Sequence, residues 1–223
     1  MNLKYRSALK NSLGLYVITT ESPGRGHYDI AEAAIIAGVR FIQYRDKNAS
    51  SRKLFDNAQR LRELTKKAGA KFIINDRIDI AMAVGADGVH LGQDDLPLKC
   101  ARSVLGHDYI IGISATCLGE AIEAAKDGAD YIGLGPIYPT PSKDDAAPPM
   151  GLEGLIEVRK SIGVPIVAIG GLTSDNIEEA VLAGADGIAV ISAVASAGDM
   201  AEAARNLDET IRHAKARARA ALP

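Results

Sequence analysis

The segment Ala37-Gly38-Val39-Arg40-Phe41-Ile42-Gln43 shows a pattern that recurs along the chain: a helix-ending glycine, a short link and an apolar run. Further copies of this pattern read AGAKFII from residue 68, VGADGVHL from 84, LGHDYIIGI from 105, DGADYIGL from 127, IGVPIVAI from 162 and AGADGIAV from 183. LGLYVIT from residue 13 adds an eighth apolar run. Glycine after a helix favours the left-handed conformation that ends it, and short β-branched runs between helices are typical of buried parallel strands.

Eight such runs in 223 residues predict an α/β fold of one (β/α)8 (TIM) barrel domain over residues 1–223. We expect strands near residues 15–19, 39–45, 70–75, 86–92, 109–114, 130–135, 164–170 and 186–191. Residues 1–13 form an N-terminal extension, for which a short helix across the bottom of the barrel is expected. In this fold the carboxyl ends of the strands carry the active site, so the polar residues there are the candidates for function.

Composition narrows the class of protein. The net charge is −2, the two cysteines have no metal-binding spacing, and no apolar run is long enough to cross a bilayer. We therefore expect a cytoplasmic protein that binds neither nucleic acid nor membrane. A homo-oligomer is compatible with the sequence.

Strand 2 runs into Gln43-Tyr44-Arg45-Asp46-Lys47. Because side chains alternate along a strand, Gln43, Arg45 and Lys47 share one face, and Tyr44 and Asp46 share the other. Two cations on an inward face need an anionic partner, since an unpaired buried charge is costly. The segment predicts an anion site, with an internal ion pair as the alternative.

Strand 3 ends in Asn75-Asp76, and strand 4 ends in His90-Leu91-Gly92-Gln93-Asp94-Asp95. Two carboxylates and an amide on neighbouring strand ends suit Mg²⁺; a helix N-cap or an acid–base carboxylate are the alternatives. We predict Asp76 and Asp95 as metal ligands and Asp94 as an N-cap. His90 lies within the strand and is interpreted as a packed core residue rather than as a base.

The remaining strand ends offer hydroxyl groups and glycines. Ser114 has no His–Asp partners in sequence and is predicted to hydrogen-bond a substrate. The proline-rich segment 136–149 is long enough for a binding loop and carries Thr140, Ser142 and Lys143. Gly170-Gly171 after strand 7 allows a close backbone approach to a phosphate, with a plain tight turn as the alternative.

The motifs QYRDK at 43–47, IINDR at 73–77, HLGQDD at 90–95, GIS at 112–114, GLGPIYPTPSKDDAAPPMG at 133–151, IGG at 169–171 and AVIS at 189–192 resemble the thiamine phosphate synthase family. The resemblance extends from about Leu15 to Ala193. It implies a (β/α)8 transferase that couples 4-amino-2-methyl-5-(diphosphooxymethyl)pyrimidine to 4-methyl-5-(2-phosphoethyl)thiazole, or to its carboxylated form. The products are thiamine phosphate and pyrophosphate, and the cofactor is Mg²⁺.

The resemblance also implies roles for residues. Asp76 and Asp95 hold Mg²⁺, and Arg45, Lys47, Ser114 and Lys143 are catalytic. The substrate-binding set is Gln43, Tyr44, Arg45, Asp46, Lys47, Asn75, Ser114, Thr140, Pro141, Ser142, Lys143, Gly171, Ile191 and Ser192. Two alternatives are a thiazole tautomerase on the same barrel, which would need an acid–base residue such as His90, and a ligand-binding barrel without chemistry. The complete metal and pyrophosphate set disfavours both.

Overall fold

A computed structural model of the chain describes residues 3–22, 24–140 and 148–220. Eight parallel strands form a closed barrel in the order β1 to β8, which confirms the predicted fold. The strands are β1 Leu15–Thr19, β2 Phe41–Tyr44, β3 Lys71–Asn75, β4 Gly88–Leu91, β5 Ile110–Ala115, β6 Tyr131–Leu134, β7 Ile166–Ile169 and β8 Gly187–Val190. The helices are α1 Leu3–Ser12, α2 His27–Ile36, α3 Ser51–Ala68, α4 Ile78–Val84, α5 Leu98–Leu105, α6 Leu118–Asp127, α7 Gly151–Ser161, α8 Ile177–Leu182, α9 Ser192–Ala195 and α10 Met200–Ala220.

Alternation along the strands produces two apolar layers. In β1 all five residues are buried; Tyr16 and Ile18 point into the barrel, whereas Leu15 and Val17 pack against the helices. Leu9 of α1 and Leu13 join the inner layer, so α1 and the residue that leads into β1 cover the amino ends of the strands. No helix among the described residues is long and apolar enough to cross a membrane.

The repeated Gly-Ala-Asp triplet has a structural role at the bottom of the barrel. In each copy the aspartate accepts a hydrogen bond from a backbone N–H of the preceding strand and pairs with an arginine from an earlier helix. The three sets are Asp87 with Phe72 N and Arg62, Asp130 with Ile111 N and Arg102, and Asp186 with Ile166 N and Arg159. These links explain why the Gly-Ala-Asp triplet recurs before every second strand, at β4, β6 and β8.

Most local expectations agree with the structure. The repeat glycines have positive φ except Gly163, because α7 already ends at Ser161 and Ile162 continues in extended backbone. On α3 the buried face ends at Thr65, whose hydroxyl donates a hydrogen bond to Leu61 O at 2.9 Å. The N-cap prediction for Asp94 is wrong, because α5 begins at Leu98 and Pro97 precedes it.

Candidate active site

A cavity of about 520 Å³ opens at the carboxyl ends of the strands. Its walls come from segments that follow β2, β3, β4, β5, β6, β7 and β8. Ten residues predicted from the sequence line it: Arg45, Lys47, Asn75, Asp76, Asp95, Ser114, Thr140, Gly171, Ile191 and Ser192. The barrel thus brings together residues up to 147 positions apart in the chain.

The side chains of the segment after β2 point alternately toward the cavity and away from it, as the alternation along a strand predicts. Arg45 and Lys47 line the cavity. Tyr44 is buried on the outer side, where its hydroxyl accepts a hydrogen bond from Asn57 Nδ2 at 3.2 Å. Asp46 Oδ1 accepts the backbone N–H groups of Asn48 and Ala49, which shapes the turn into α3. The side chains of Tyr44 and Asp46 therefore support this segment and do not reach the cavity, which corrects their expected contact with substrate.

Asp76 and Asp95 face each other at the cavity wall. Burial, together with a hydrogen bond and the charge of Asp95, raises the pKa of Asp76 from 3.8 to about 6, while the charges of Lys47 and Arg45 lower it. Asp76 has a φ of 62°, a left-handed conformation that aspartate tolerates better than most residues. Asp95 Oδ2 accepts the Gly92 N–H at 2.6 Å. Two mutually repelling carboxylates in a partly buried wall form a pair that a hard dication would neutralise.

Ser114 is the cavity end of a hydrogen-bond chain through the barrel interior. Its Oγ lies 2.9 Å from His90 Nε2, and His90 Nδ1 lies 2.9 Å from the Tyr131 hydroxyl. That hydroxyl lies 3.0 Å from the Tyr16 hydroxyl, to which Gln43 Nε2 donates at 2.9 Å. Gln43 is 2% exposed and does not line the cavity. His90 is packed as expected, and it also fixes the orientation of the Ser114 hydroxyl.

Burial raises the pKa of Tyr16 and Tyr131, the two tyrosines of this hydrogen-bond chain. Both hydroxyls therefore remain protonated at neutral pH and act as neutral hydrogen-bonding groups. Gly112 makes the arrangement possible, because a Cβ at that position would lie 2.1 Å from Cζ of Tyr131.

The start of the loop after β6 is fixed against β7. Ile137 N donates to Ile169 O at 2.9 Å and Tyr138 N donates to Gly170 O at 3.0 Å. Gly171 has a φ of 63°, and a Cβ there would lie 2.6 Å from Pro139 O. Glycine at this position is therefore required by the packed loop and by the backbone conformation, in addition to its place on the cavity wall.

The order of strands separates two sides of the cavity. In a ring of eight strands β3 lies opposite β7, and β4 lies opposite β8. Arg45, Lys47 and the Asp76–Asp95 pair occupy one side, while the backbone at 170–173 and 191–193 forms the other.

Three of the predicted residues, Pro141, Ser142 and Lys143, lie outside the described residues. Conversely, the cavity is also lined by Gln93, Thr116 and Thr173, which the sequence did not single out. Each stands one to four residues after a strand, so the same positional signal could have found them. Gln93 Nε2 donates to Ser114 O at 2.6 Å and thereby links β4 to β5.

A barrel whose mouth combines two cations, paired carboxylates and an opposing glycine-rich backbone belongs to the class of (β/α)8 enzymes that act on phosphorylated small molecules. Residues 15–194 match the family described as thiamine monophosphate synthase. The thiamine-phosphate synthase of Chloroflexus aurantiacus is 51% identical over 195 residues, covering 86% of this chain and 90% of that protein. The same enzyme of Methanoculleus marisnigri is 49% identical over 207 residues, covering 92% and 98%.

A solved structure agrees with the sequence matches. Thiamine phosphate pyrophosphorylase from Pyrococcus furiosus superposes with a TM-score of 0.87 at 42% identity, covering 92% of this chain and 98% of that one. The chain belongs to the thiamine monophosphate synthase family. Its activity is that of a thiamine-phosphate synthase, a transferase.

Proposed function

We propose that the chain joins the pyrimidine CH₂ carbon of 4-amino-2-methyl-5-(diphosphooxymethyl)pyrimidine to the ring nitrogen of a thiazole phosphate, with release of pyrophosphate. The observation that carries this proposal is the two-sided cavity. One side carries the cationic side chains and the carboxylate pair, and the other side is formed by the backbone at 170–173 and 191–193. A substrate with a highly charged leaving group and a second substrate with a monoester phosphate need these two environments.

The pyrophosphate is assigned to the side after β2, β3 and β4. Arg45 and Lys47 line this side and would balance the negative charge that develops on the leaving group, as electrostatic preorganisation requires. Asn75 and Ser114 add hydrogen bonds from the same wall. Gln43 is proposed to act from behind this wall, through the chain that orients Ser114. Lys143 remains a predicted donor to the leaving group.

The donor set fits Mg²⁺, and Asp76 and Asp95 would hold it. The fit rests on the chemistry of the donor set, which is two carboxylates at one part of the cavity wall; burial first, and then the hydrogen bond and charge of Asp95, raise the pKa of Asp76. Mg²⁺ bound there supplies positive charge to the pyrophosphate oxygens. Asp76 and Asp95 must both be ionised for this role, so binding of the ion is coupled to loss of the proton that Asp76 retains below about pH 6.

The thiazole phosphate is assigned to the opposite side. Gly171, Ile191 and Ser192 line that wall, with Thr140 at the start of the loop. Backbone N–H groups and hydroxyls hold a phosphate by geometry and need no metal ion. Ser142 and Pro141 stay assigned to this subsite as predictions from the family motif.

Bond breaking precedes bond making in the proposed mechanism. The 4-amino group donates electron density to the ring, so the C–O bond breaks with both electrons leaving on pyrophosphate. The thiazole nitrogen lone pair then forms the new C–N bond. No protein base is required, and the roles given to Arg45, Lys47 and Ser114 are to bind, orient and stabilise charge.

An analogue of the pyrimidine substrate with hydrogen in place of the 4-amino group tests this order of events. The proposal predicts that the analogue binds but reacts at least 100-fold more slowly, about 2.7 kcal/mol in activation free energy. Equal single-turnover rates for the analogue and the natural substrate would show that the nitrogen attacks before the C–O bond breaks.

A further inference from the structure

Outside the cavity, Glu21, His27 and Asp46 place three metal-ligating atoms within 4.8 Å of one another. Within the described part of the chain this is the one such group of three histidine, cysteine or carboxylate side chains. None of the three lines the cavity. They lie where the loop after β1 and the segment after β2 meet the first residue of α2.

His27 is the central member of this group. Its side chain is 4% exposed, and its Nδ1 is held 2.9 Å from the Thr19 hydroxyl. The buried Nε2 makes no hydrogen bond with any described residue, and Asp46 Oδ2 lies 3.5 Å from it. That separation is longer than a normal hydrogen bond. A buried ring nitrogen without a hydrogen-bond partner destabilises the fold, and a ligand at Nε2 would remove that cost.

The two carboxylates are arranged around this nitrogen. Asp46 Oδ1 is occupied by two backbone N–H groups, at 3.1 and 3.0 Å, so Oδ2 is the oxygen turned toward His27. Glu21 is 60% exposed and pairs with Lys53 Nζ at 2.6 Å. Fixing one atom of each ligand by a separate hydrogen bond is the usual way in which proteins orient metal ligands. Here Thr19 does so for His27, and the turn does so for Asp46.

We propose that Glu21, His27 and Asp46 form a second metal site, which binds a Zn²⁺-class dication through His27 Nε2 and one oxygen of each carboxylate. Two ligand atoms at about 2.1 Å from a tetrahedral ion lie roughly 3.4 Å apart, close to the separation of Nε2 and Oδ2. Two carboxylates neutralise the charge of the ion, and three protein ligands leave the fourth position for water.

The ligand atoms of this site differ in kind from those of the Asp76–Asp95 pair. Imidazole favours Zn²⁺ and its neighbours in the transition series, whereas an all-oxygen set favours Mg²⁺. The ion would join the segment that carries Arg45 and Lys47 to the start of α2, so its direct effect is structural. Lys53 competes for Glu21 and would move away when the ion binds. The inference does not depend on the coupling reaction.

The test is a Zn²⁺ titration of the full chain by calorimetry, in saturating Mg²⁺, with Co²⁺ absorption as a second probe. Cys100 and Cys117 are exposed, so the parent protein carries Cys100→Ser and Cys117→Ser to remove competing thiols. We expect one equivalent of Zn²⁺ bound with micromolar affinity. His27→Gln should weaken binding at least ten-fold, and Lys53→Met should strengthen it.

Two matched variants serve as controls. His213→Gln removes an exposed histidine on α10, and Asp95→Asn alters the carboxylate pair of the cavity; both should bind Zn²⁺ as the parent does. If His27→Gln does not fold, Glu21→Gln carries the test, because that side chain is exposed, and the same ten-fold loss is expected. The proposal is overturned if the parent binds no stoichiometric Zn²⁺, or if the substituted ligand leaves the affinity unchanged.

Discussion

Replacing Asp95 with asparagine should make the metal-free protein more stable and the enzyme less active. Asparagine keeps an oxygen for the Gly92 N–H, which Asp95 Oδ2 accepts at 2.6 Å, so the local turn survives. It removes the charge that opposes Asp76. Two of the three causes that raise the pKa of Asp76 disappear with that charge, and only burial remains.

The size of the effect follows from the pKa of Asp76. A pKa of about 6 in place of 3.8 corresponds to roughly 3 kcal/mol against ionisation in the fold, and solvent screening of this partly exposed pair reduces the figure to roughly 1–2 kcal/mol. Because the pKa is raised in the fold, the stability linked to the retained proton is present below about pH 4 and is lost as the pH rises through about 6. Asp95→Asn should avoid the part of that loss that Asp95 causes, while the part caused by burial remains.

The assay is thermal unfolding with chelator at low and neutral pH, together with turnover in Mg²⁺. At neutral pH the variant should unfold about 2–4 °C higher per kcal/mol recovered, and at low pH the difference should vanish. Turnover should fall roughly 100-fold or more, since the pyrophosphate charge is less well balanced. Asp94→Asn, a neighbouring cavity residue, is the matched control and should change both quantities less. Unchanged stability at neutral pH with normal turnover at low Mg²⁺ would show that Asp76 and Asp95 neither oppose each other nor hold Mg²⁺.

Three further predictions concern separate parts of the site. Mg²⁺ affinity of the wild-type protein should fall as the pH drops below about 6, because Asp76 then binds a proton; calorimetry showing no pH dependence would contradict this. Gly171→Ala, with its Cβ 2.6 Å from Pro139 O, should raise KM for thiazole phosphate more than KM for the pyrimidine substrate, whereas Gly163→Ala, which has open space, should change neither. Tyr131→Phe should lower stability by roughly 1–3 kcal/mol and should also lower kcat, as measured by thermal unfolding and by initial rates. An unaltered kcat would show that the buried hydrogen-bond chain does not orient Ser114 for catalysis.

The positions of the strands could be predicted from the sequence because both determinants are local. Apolar runs mark the strands, and glycines mark the preceding helix ends, so the predicted and observed strands differ by at most two residues at either end. The cavity-facing positions of Arg45 and Lys47 followed from alternation alone. Asp76 and Asp95 could be paired because their strands are neighbours in the barrel.

Other features depend on contacts between distant segments, which a single sequence does not encode locally. Gln43 shares a face with Arg45, yet it lies deeper in the barrel and bonds to Tyr16 of another strand. The link of His90 to Ser114 depends on the register of β4 against β5. The need for glycine at position 171 comes from the loop after β6, 32 residues earlier at Pro139.

A coupling assay on the purified protein is the direct test of the proposed reaction. The purified protein is incubated with Mg²⁺ and both substrates, then with each substrate omitted, and the products are separated by chromatography. We expect thiamine phosphate and pyrophosphate in equal amounts, only when both substrates and Mg²⁺ are present, and a severe loss when Asp76 and Asp95 are both changed to asparagine. Isomerised thiazole phosphate without coupling, or bound substrates recovered unchanged, would contradict the proposed function.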